Sequence, residues 1–225
     1  MKAMMMMAAL ALSTACTPPS RDAAPARETA VAHDAPAGEY RVDASHADLA
    51  FRVNHIGFSM YTARFERWDA TLQFDPANPE AMSVTATIDV RSLALPAPPA
   101  GFIEEMLGPQ WFNAAQHPEM IFRSTLVERT GPNTARVTGD LTLHGITKPV
   151  TLEARFNGGY AGHPMDPHGR IGFSAHGILK RSEFGIAYGV PAEGSTMGVF
   201  DEVEIVIETE FTGPPLAGAA QPANP

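Results

Sequence analysis

The sequence has one cysteine in 225 residues, no excess of positive charge and a single long apolar run. One thiol cannot form an internal disulfide or a cysteine-rich zinc site, so neither device holds this fold together. With 16 Lys and Arg against 25 Asp and Glu, the net charge of −9 argues against a nucleic-acid partner, because backbone binding is largely attraction to phosphate charge. Gly-x-Ser-x-Gly elbows, Walker-type phosphate loops and His-Glu-x-x-His are all missing. The segment GFSAHG at 172–177 has the wrong spacing for a nucleophile elbow, and no internal repeat is present.

What is there is unevenly distributed. Five of the 11 methionines lie in the first seven residues, and Ala3 to Leu12 is unbroken apolar sequence after Lys2. That run is too short to span a bilayer but suits the core of an export signal, which predicts a signal peptide over 1–15. Small residues Ser13, Thr14 and Ala15 directly precede Cys16, in the manner of a bacterial lipobox whose cysteine is lipidated. The alternative is ordinary cleavage with Cys16 an incidental thiol. The absence of any other cysteine favours lipidation, since an exposed free thiol is a liability. A disordered linker is expected over 16–38 and a disordered tail over 213–225. Together these two segments carry eight of the 20 prolines and too few bulky apolar side chains to offset their ordering entropy.

Between 39 and 212 the dominant signal is alternation with period two. Val84, Ala86, Ile88 and Val90 alternate with Thr85, Thr87 and Asp89, and Val203, Ile205 and Ile207 alternate with Glu202, Glu204 and Glu208. Leu141 and Leu143, and then Val150, Leu152, Ala154 and Phe156, behave the same way. Each run reads as a half-buried strand. Further strands are expected over 40–55, 62–74, 119–130 and 169–180, about eight in all. His144-Gly145 marks a tight hairpin. In 62–74 the parity of Phe65 conflicts with that of Trp68, Ala70, Leu72 and Phe74, so a bulge is expected near Arg67. The Pro-rich stretch 96–115, broken at Gly108-Pro109, predicts two short helices. Antiparallel strands with one apolar face each must close or stack, and large apolar residues on nearly every strand favour a closed barrel. Such a barrel either fills its interior with side chains or holds one small ligand.

Polar chemistry is sparse. His46, His55, His117, His144, His163, His168 and His176 show no metal-ligand spacing. His55 shares parity with Leu49, Phe51 and Val53, which puts its ring on the apolar face at a strand end. It reads either as a core histidine bonded to a carbonyl or as a polar contact at a cavity mouth. A metal-assisted or acid–base site built from His46, His55 and Asp43 is the rival reading, and requires those groups to converge.

Several motifs resemble one family. The run Tyr40-x-Val42-Asp43-x-x-His46-x-x-Leu49-x-Phe51-x-Val53-x-His55 is similar to the opening strand pair of the YceI-like family. Leu107 to Asn113 with His117 to Thr125 resembles its helix-to-strand passage, and Gly139 to Leu152 its central hairpin. Arg181 to Gly185 and the strand Val203 to Phe211 complete the order. Departures are Ala47 where serine is usual, Trp111 for a phenylalanine and Ala63 for a glycine. The resemblance implies an exported, closed eight-stranded antiparallel lipocalin-like barrel over 39–212. It implies a binding protein carrying or storing an isoprenoid quinone, polyprenyl lipid or fatty-acyl compound inside, with no cofactor and no catalytic residue.

The expected wall is Phe51, Val53, Phe65, Trp68, Phe122, Leu141, Leu143, Phe156 and Phe173, each of which would serve equally as packed core. The expected head-group contacts are His46, His55 and Arg181. Expected partners are an amphiphilic small molecule, a membrane through Cys16 and, as an open option, a second copy in a homodimer. An envelope stress or adhesion protein with a closed interior is a further alternative.

Overall fold

The computed structural model describes residues 28–216. The expected signal peptide, Cys16 and the last nine residues lie outside them. Ten strands form the fold: β1 (Gly38–His55), β2 (Ser59–Phe65), β3 (Trp68–Phe74), β4 (Ser83–Asp89), β5 (Leu93–Ala94), β6 (Glu119–Arg129), β7 (Thr134–Leu143), β8 (Ile146–Tyr160), β9 (His168–Lys180) and β10 (Val199–Pro215). They hydrogen-bond in the order β10-β9-β8-β7-β6-β4-β3-β1-β2-β5, and β10 also pairs with β1. That last pairing closes the sheet into an eight-stranded antiparallel barrel, with β2 and β5 as additions on one side. The expected all-β barrel is what the chain forms.

The parity conflict at Phe65 is resolved by a break, not a simple bulge. Glu66 and Arg67 separate β2 from β3, and β1 pairs with β3 over Gly38–Arg41 but with β2 over Ala50–His55. Arg67 is held at this corner by Asp89, which accepts from its guanidinium at 2.7 Å. The strand β1 is also irregular against β10. Between the pairs Val42–Phe211 and Ala47–Thr209, four residues of β1 oppose one of β10. The excess loops outward and carries Asp43, Ser45 and His46 to the surface.

The hairpin at His144-Gly145 is as expected. Both residues have positive φ, 53° and 77°, and Leu143 pairs with Ile146, the two-residue geometry whose twist matches the strands. Gly145 is required twice over, because an added Cβ would also lie 2.5 Å from the His117 ring. The 96–115 insertion forms one helix instead of two. The helix α1 (Phe102–Met106) is five residues long, and turns follow it. Pro109 has no N–H and disfavours helical backbone at Gly108, so no second helix forms.

The described parts of the two stretches set apart by composition lie against the barrel. Residues 28–38 rest on the barrel. Val31 N–H donates to Asn133 at 2.7 Å, Glu28 pairs with Arg155, and the His33 ring meets Phe156 edge-on with centroids 4.9 Å apart. Ala35 is buried, and the Tyr40 hydroxyl, on a fully buried ring, donates to the Pro36 carbonyl at 2.8 Å. At the other end β10 continues past 212 to Pro215, which pairs with His168. Composition alone undervalued both stretches, because the apolar surface that covers them belongs to the barrel and not to the segments themselves.

Two buried clusters divide the interior. One is centred on Tyr40, Leu72, Phe74, Ile171 and Phe211, beside the N-terminal segment. The other gathers Phe65, Ile88, Trp111, Phe122, Leu141 and Phe184 at the end that bears α1.

On the outside, the β1 excursion is tied down by Arg170 of β9. Its guanidinium donates to Asp43 and to Asp166, and Asp43 also accepts from the Ser45 N–H and hydroxyl. The Ser45 hydrogen bond and the Arg170 guanidinium hold the Asp43 carboxyl well below the usual carboxylate range. A carboxyl lowered in this way contributes stability that is fully present above its unfolded pKa, near 4, and is lost as the pH falls below that value. Asp43→Asn is therefore expected to cost about 1.5–3 kcal/mol in urea unfolding at pH 7, with the difference from the parent shrinking steadily between pH 4 and pH 2.

Candidate ligand-binding site

The end of the barrel that bears α1 is hollow. A cavity of about 480 Å³ lies inside it, walled by the inward faces of most strands. Alternation explains the wall: Leu49, Phe51 and Val53 of β1, then Val203, Ile205 and Ile207 of β10, each contribute every second residue. Ala86 and Ile88 on β4, Met120 and Phe122 on β6, and Leu141 and Leu143 on β7 continue it around the barrel. Phe102 and Met106 of α1, with Trp111 and Phe112 after it, form part of the rim. The aromatic rings pack among themselves, Phe51 to Phe65 and Phe65 to Phe112 both with centroids 5.6 Å apart.

Seven of the nine residues expected in the wall line this cavity: Phe51, Val53, Phe65, Trp68, Phe122, Leu141 and Leu143. Phe156 and Phe173 do not. They pair with each other across β8 and β9 and pack on the second cluster, near Phe74 and His33. Parity was right for both, but Phe156 lies four residues beyond Leu152, which is roughly 13 Å further along the barrel. Alternation tells which face a residue takes and is silent on how deep it sits. The reading from sequence also missed Tyr61, Ile186 and the two α1 residues. Tyr61 was legible in principle, because it belongs to the parity of Phe65 in the same strand. Ile186 follows a turn and has no periodic signal.

The three expected head-group contacts separate. His55 lines the cavity and is exposed, so it stands at the mouth. Arg181 also lines the cavity but is only 5% exposed. Its guanidinium donates to four main-chain carbonyls: Phe200 at 3.1 Å, Ile186 at 2.9 Å, Tyr188 at 2.8 Å and Val199 at 2.7 Å. Its charged face stacks over the Trp111 ring at 5.2 Å. Burial pulls the Arg181 pKa down, with Asp201 acting in the opposite sense. The side chain is thus a clamp that binds the 186–200 segment to the barrel end, and four of its five donors are already used.

His46 sits in the surface excursion of β1, exposed, with Nδ1 3.1 Å from Asp43 and 3.0 Å from the Ser45 hydroxyl. It has no place in the cavity. His55 lies nine positions further along β1, roughly 30 Å on an extended strand. His46, His55 and Asp43 therefore do not converge. Among the described residues, no group of three His, Cys, Asp or Glu side chains could hold a metal ion.

A closed antiparallel barrel with its larger cavity at one end, an apolar wall and a polar group at the mouth is lipocalin-like in architecture. Comparison with known proteins narrows this. The YceI-like domain matches residues 40–211, and the chain belongs to that family. A UPF0312 protein of Pseudomonas savastanoi pv. phaseolicola is 38% identical over 159 residues, covering 69% of this chain and 80% of the relative. The UPF0312 protein of Pseudomonas putida strain W619 is 37% identical over 177 residues, 77% of this chain and 88% of its own.

Among solved structures, Burkholderia cenocepacia BcnA superposes with a TM-score of 0.63 at 27% identity, covering 75% of this chain and 98% of that one. A polyisoprenoid binding domain from Saccharophagus degradans shares the fold at a TM-score of 0.56 and 12% identity, covering 80% and 100%.

The clamp makes a direct prediction. A lysine has one compact ammonium in place of the planar fork and cannot reach four divergent carbonyls. Arg181→Lys is expected to lower stability by about 2–4 kcal/mol in chemical unfolding, since buried carbonyls lose their partners. It should also raise amide hydrogen exchange across 186–200.

Proposed function

We propose that the protein is an exported, non-catalytic binding protein that holds a long apolar chain inside the barrel. The observation that carries the reading is the 480 Å³ cavity, whose wall contains no carboxylate, amide or lysine side chain. Its volume falls within the range of roughly 300–1,000 Å³ typical of small-molecule sites. An apolar chain has no hydrogen bonds to satisfy, so its affinity comes from area removed from water, at roughly 25 cal/mol per Å² before ordering costs. Membership of the YceI-like family supports the reading. So does the fold shared with the Saccharophagus degradans domain, whose described polyisoprenoid ligand is of the chemistry this wall suits.

Export rests on the signal-like start of the chain. Cys16 is proposed as the lipidation site, with the residues that follow it as a short tether between membrane and barrel. Substituting Cys16→Ser should move the protein from the membrane fraction to the soluble periplasmic fraction. Unchanged fractionation would count against the anchor.

Filling the cavity tests the ligand. Ala86 faces it from β4, opposite Ala70 and Phe122 on the neighbouring strands. Ala86→Trp is expected to lower retention of added hexadecanol at least about tenfold, measured by mass spectrometry after gel filtration, while the melting temperature holds or rises as void is replaced by contact. Equal retention in the two proteins would place the chain outside the barrel.

A further inference from the structure

A second cavity, of about 200 Å³, lies at the end of the barrel away from the mouth, beside the N-terminal segment. Ala30, Val31 and His33 of that segment form one wall, and Phe74, Phe156 and Phe173 are part of an apolar floor. The cavity therefore exists only while the segment is docked. Asn133, itself buried, fastens it: the amide accepts from the Val31 N–H and donates to Glu28 and to the Thr29 carbonyl.

Two polar groups in the wall are unsatisfied. The Nδ1 of His33 is buried and has no hydrogen-bond partner among the described residues. Its ring is held by packing, edge-on to Phe156 with centroids 4.9 Å apart and tilted to Phe74 at 6.0 Å. An orphaned buried nitrogen costs free energy that a polar atom entering the cavity restores. The second group is Arg129, at the rim. It donates through Nε to the Gly131 carbonyl at 3.0 Å and through Nη2 to the Pro132 carbonyl at 3.4 Å, which leaves Nη1 without a partner among the described residues. On β7 and β8, Arg136 and Arg155 pair with Glu153 and Glu28. Arg129 enters no such ion pair among the described residues.

Charge and shape then limit what fits. No Asp or Glu lines the cavity, and Arg129 is its one Arg or Lys. In a chain of net charge −9, an anion here meets an unpaired cation and no carboxylate. Phe74 and Phe156 stack with centroids 5.9 Å apart, and Phe173 packs on Phe156 at 5.4 Å. Such a cluster offers faces and edges to another flat ring. A cavity of roughly 150 Å³ already takes up benzene, so this one has room for a single ring bearing a carboxylate.

We infer that the protein carries a second site, under the N-terminal segment, for a small aromatic carboxylate of the size of benzoate. The ring lies on Phe74 and Phe156, and the carboxylate accepts from Arg129 Nη1. His33 supplies a further donor, because neither ring nitrogen is bonded among the described residues and the proton is free to sit on the one that faces the ligand. Since the segment is one wall of the site, occupancy also holds it to the barrel.

Isothermal titration calorimetry with benzoate, benzyl alcohol and acetate tests this. Benzoate is expected to bind one per chain, at least about tenfold more tightly than benzyl alcohol, which keeps the ring without the charge. Acetate, which lacks the ring, should bind at least about tenfold more weakly as well. Arg129→Gln should weaken benzoate about tenfold or more and leave benzyl alcohol unchanged. His33→Phe keeps an aromatic ring against Phe74 and Phe156 and should weaken benzoate about 3- to 10-fold. Saturating benzoate should slow amide hydrogen exchange across 29–35. The inference is overturned if benzoate does not bind, if benzyl alcohol or acetate binds as well, if Arg129→Gln leaves benzoate affinity unchanged, or if exchange across 29–35 does not respond.

Discussion

The pairing of β1 with β10 is the contact on which everything else depends. Without it the ten strands would make an open, twisted sheet with two edges and one exposed apolar face. Hydrogen bonds from Arg41–Thr212 through His55–Val199 join the first strand to the last and remove those edges. Only then do Phe51, Ile205, Phe122 and Leu141 face one another across an interior. The closure also explains why β1 is irregular. It must meet β3 at one end, β2 at the other and β10 along its length, and the excursion at 43–46 absorbs the mismatch. Arg170 then fixes that excursion from the outside through Asp43.

The interior is not uniform, and the difference between its ends is what makes a site. Around Tyr40 and Phe74 the rings pack together and leave a smaller cavity of about 200 Å³ beside residues 28–38. At the other end the strands carry residues of similar size, but α1 and the 186–200 segment stand at the rim and leave the space between them hollow. Atoms that line such a void lack partners on one side and forgo dispersion attraction that a bound chain restores. The clamp at Arg181 holds the rim segment to the barrel. A buried charge thereby serves architecture, with four of its five donors taken by main-chain carbonyls.

Much of this was legible in the sequence, for a definite reason. Period-two alternation follows directly from strand geometry, so the strands, their inward residues and the hairpin at His144-Gly145 could be read off without long-range information. Depth along the barrel could not, so nothing in the sequence separated Phe156 and Phe173, which pack on the second cluster, from the other wall residues. Charge state and polarity also mislead when partners are remote in sequence. Arg181 looked available because its four carbonyl acceptors lie 5 to 19 residues away, two in an aperiodic loop and two at the start of β10. His46 shared a motif with His55 but was carried outward by an irregularity that pairing with β10 imposes. The packing of residues 28–38 was hidden for the same reason, since the surface that orders them comes from β3, β8 and the turn between β6 and β7.

The central claim is that the hollow end of the barrel holds an apolar chain. Native mass spectrometry of the protein purified without organic solvent tests it most directly. The account predicts a non-covalent adduct that survives gentle ionisation, disappears on denaturation and is recovered as a lipid in the organic extract. A bare polypeptide mass that also takes up no added hexadecanol or farnesol would contradict it.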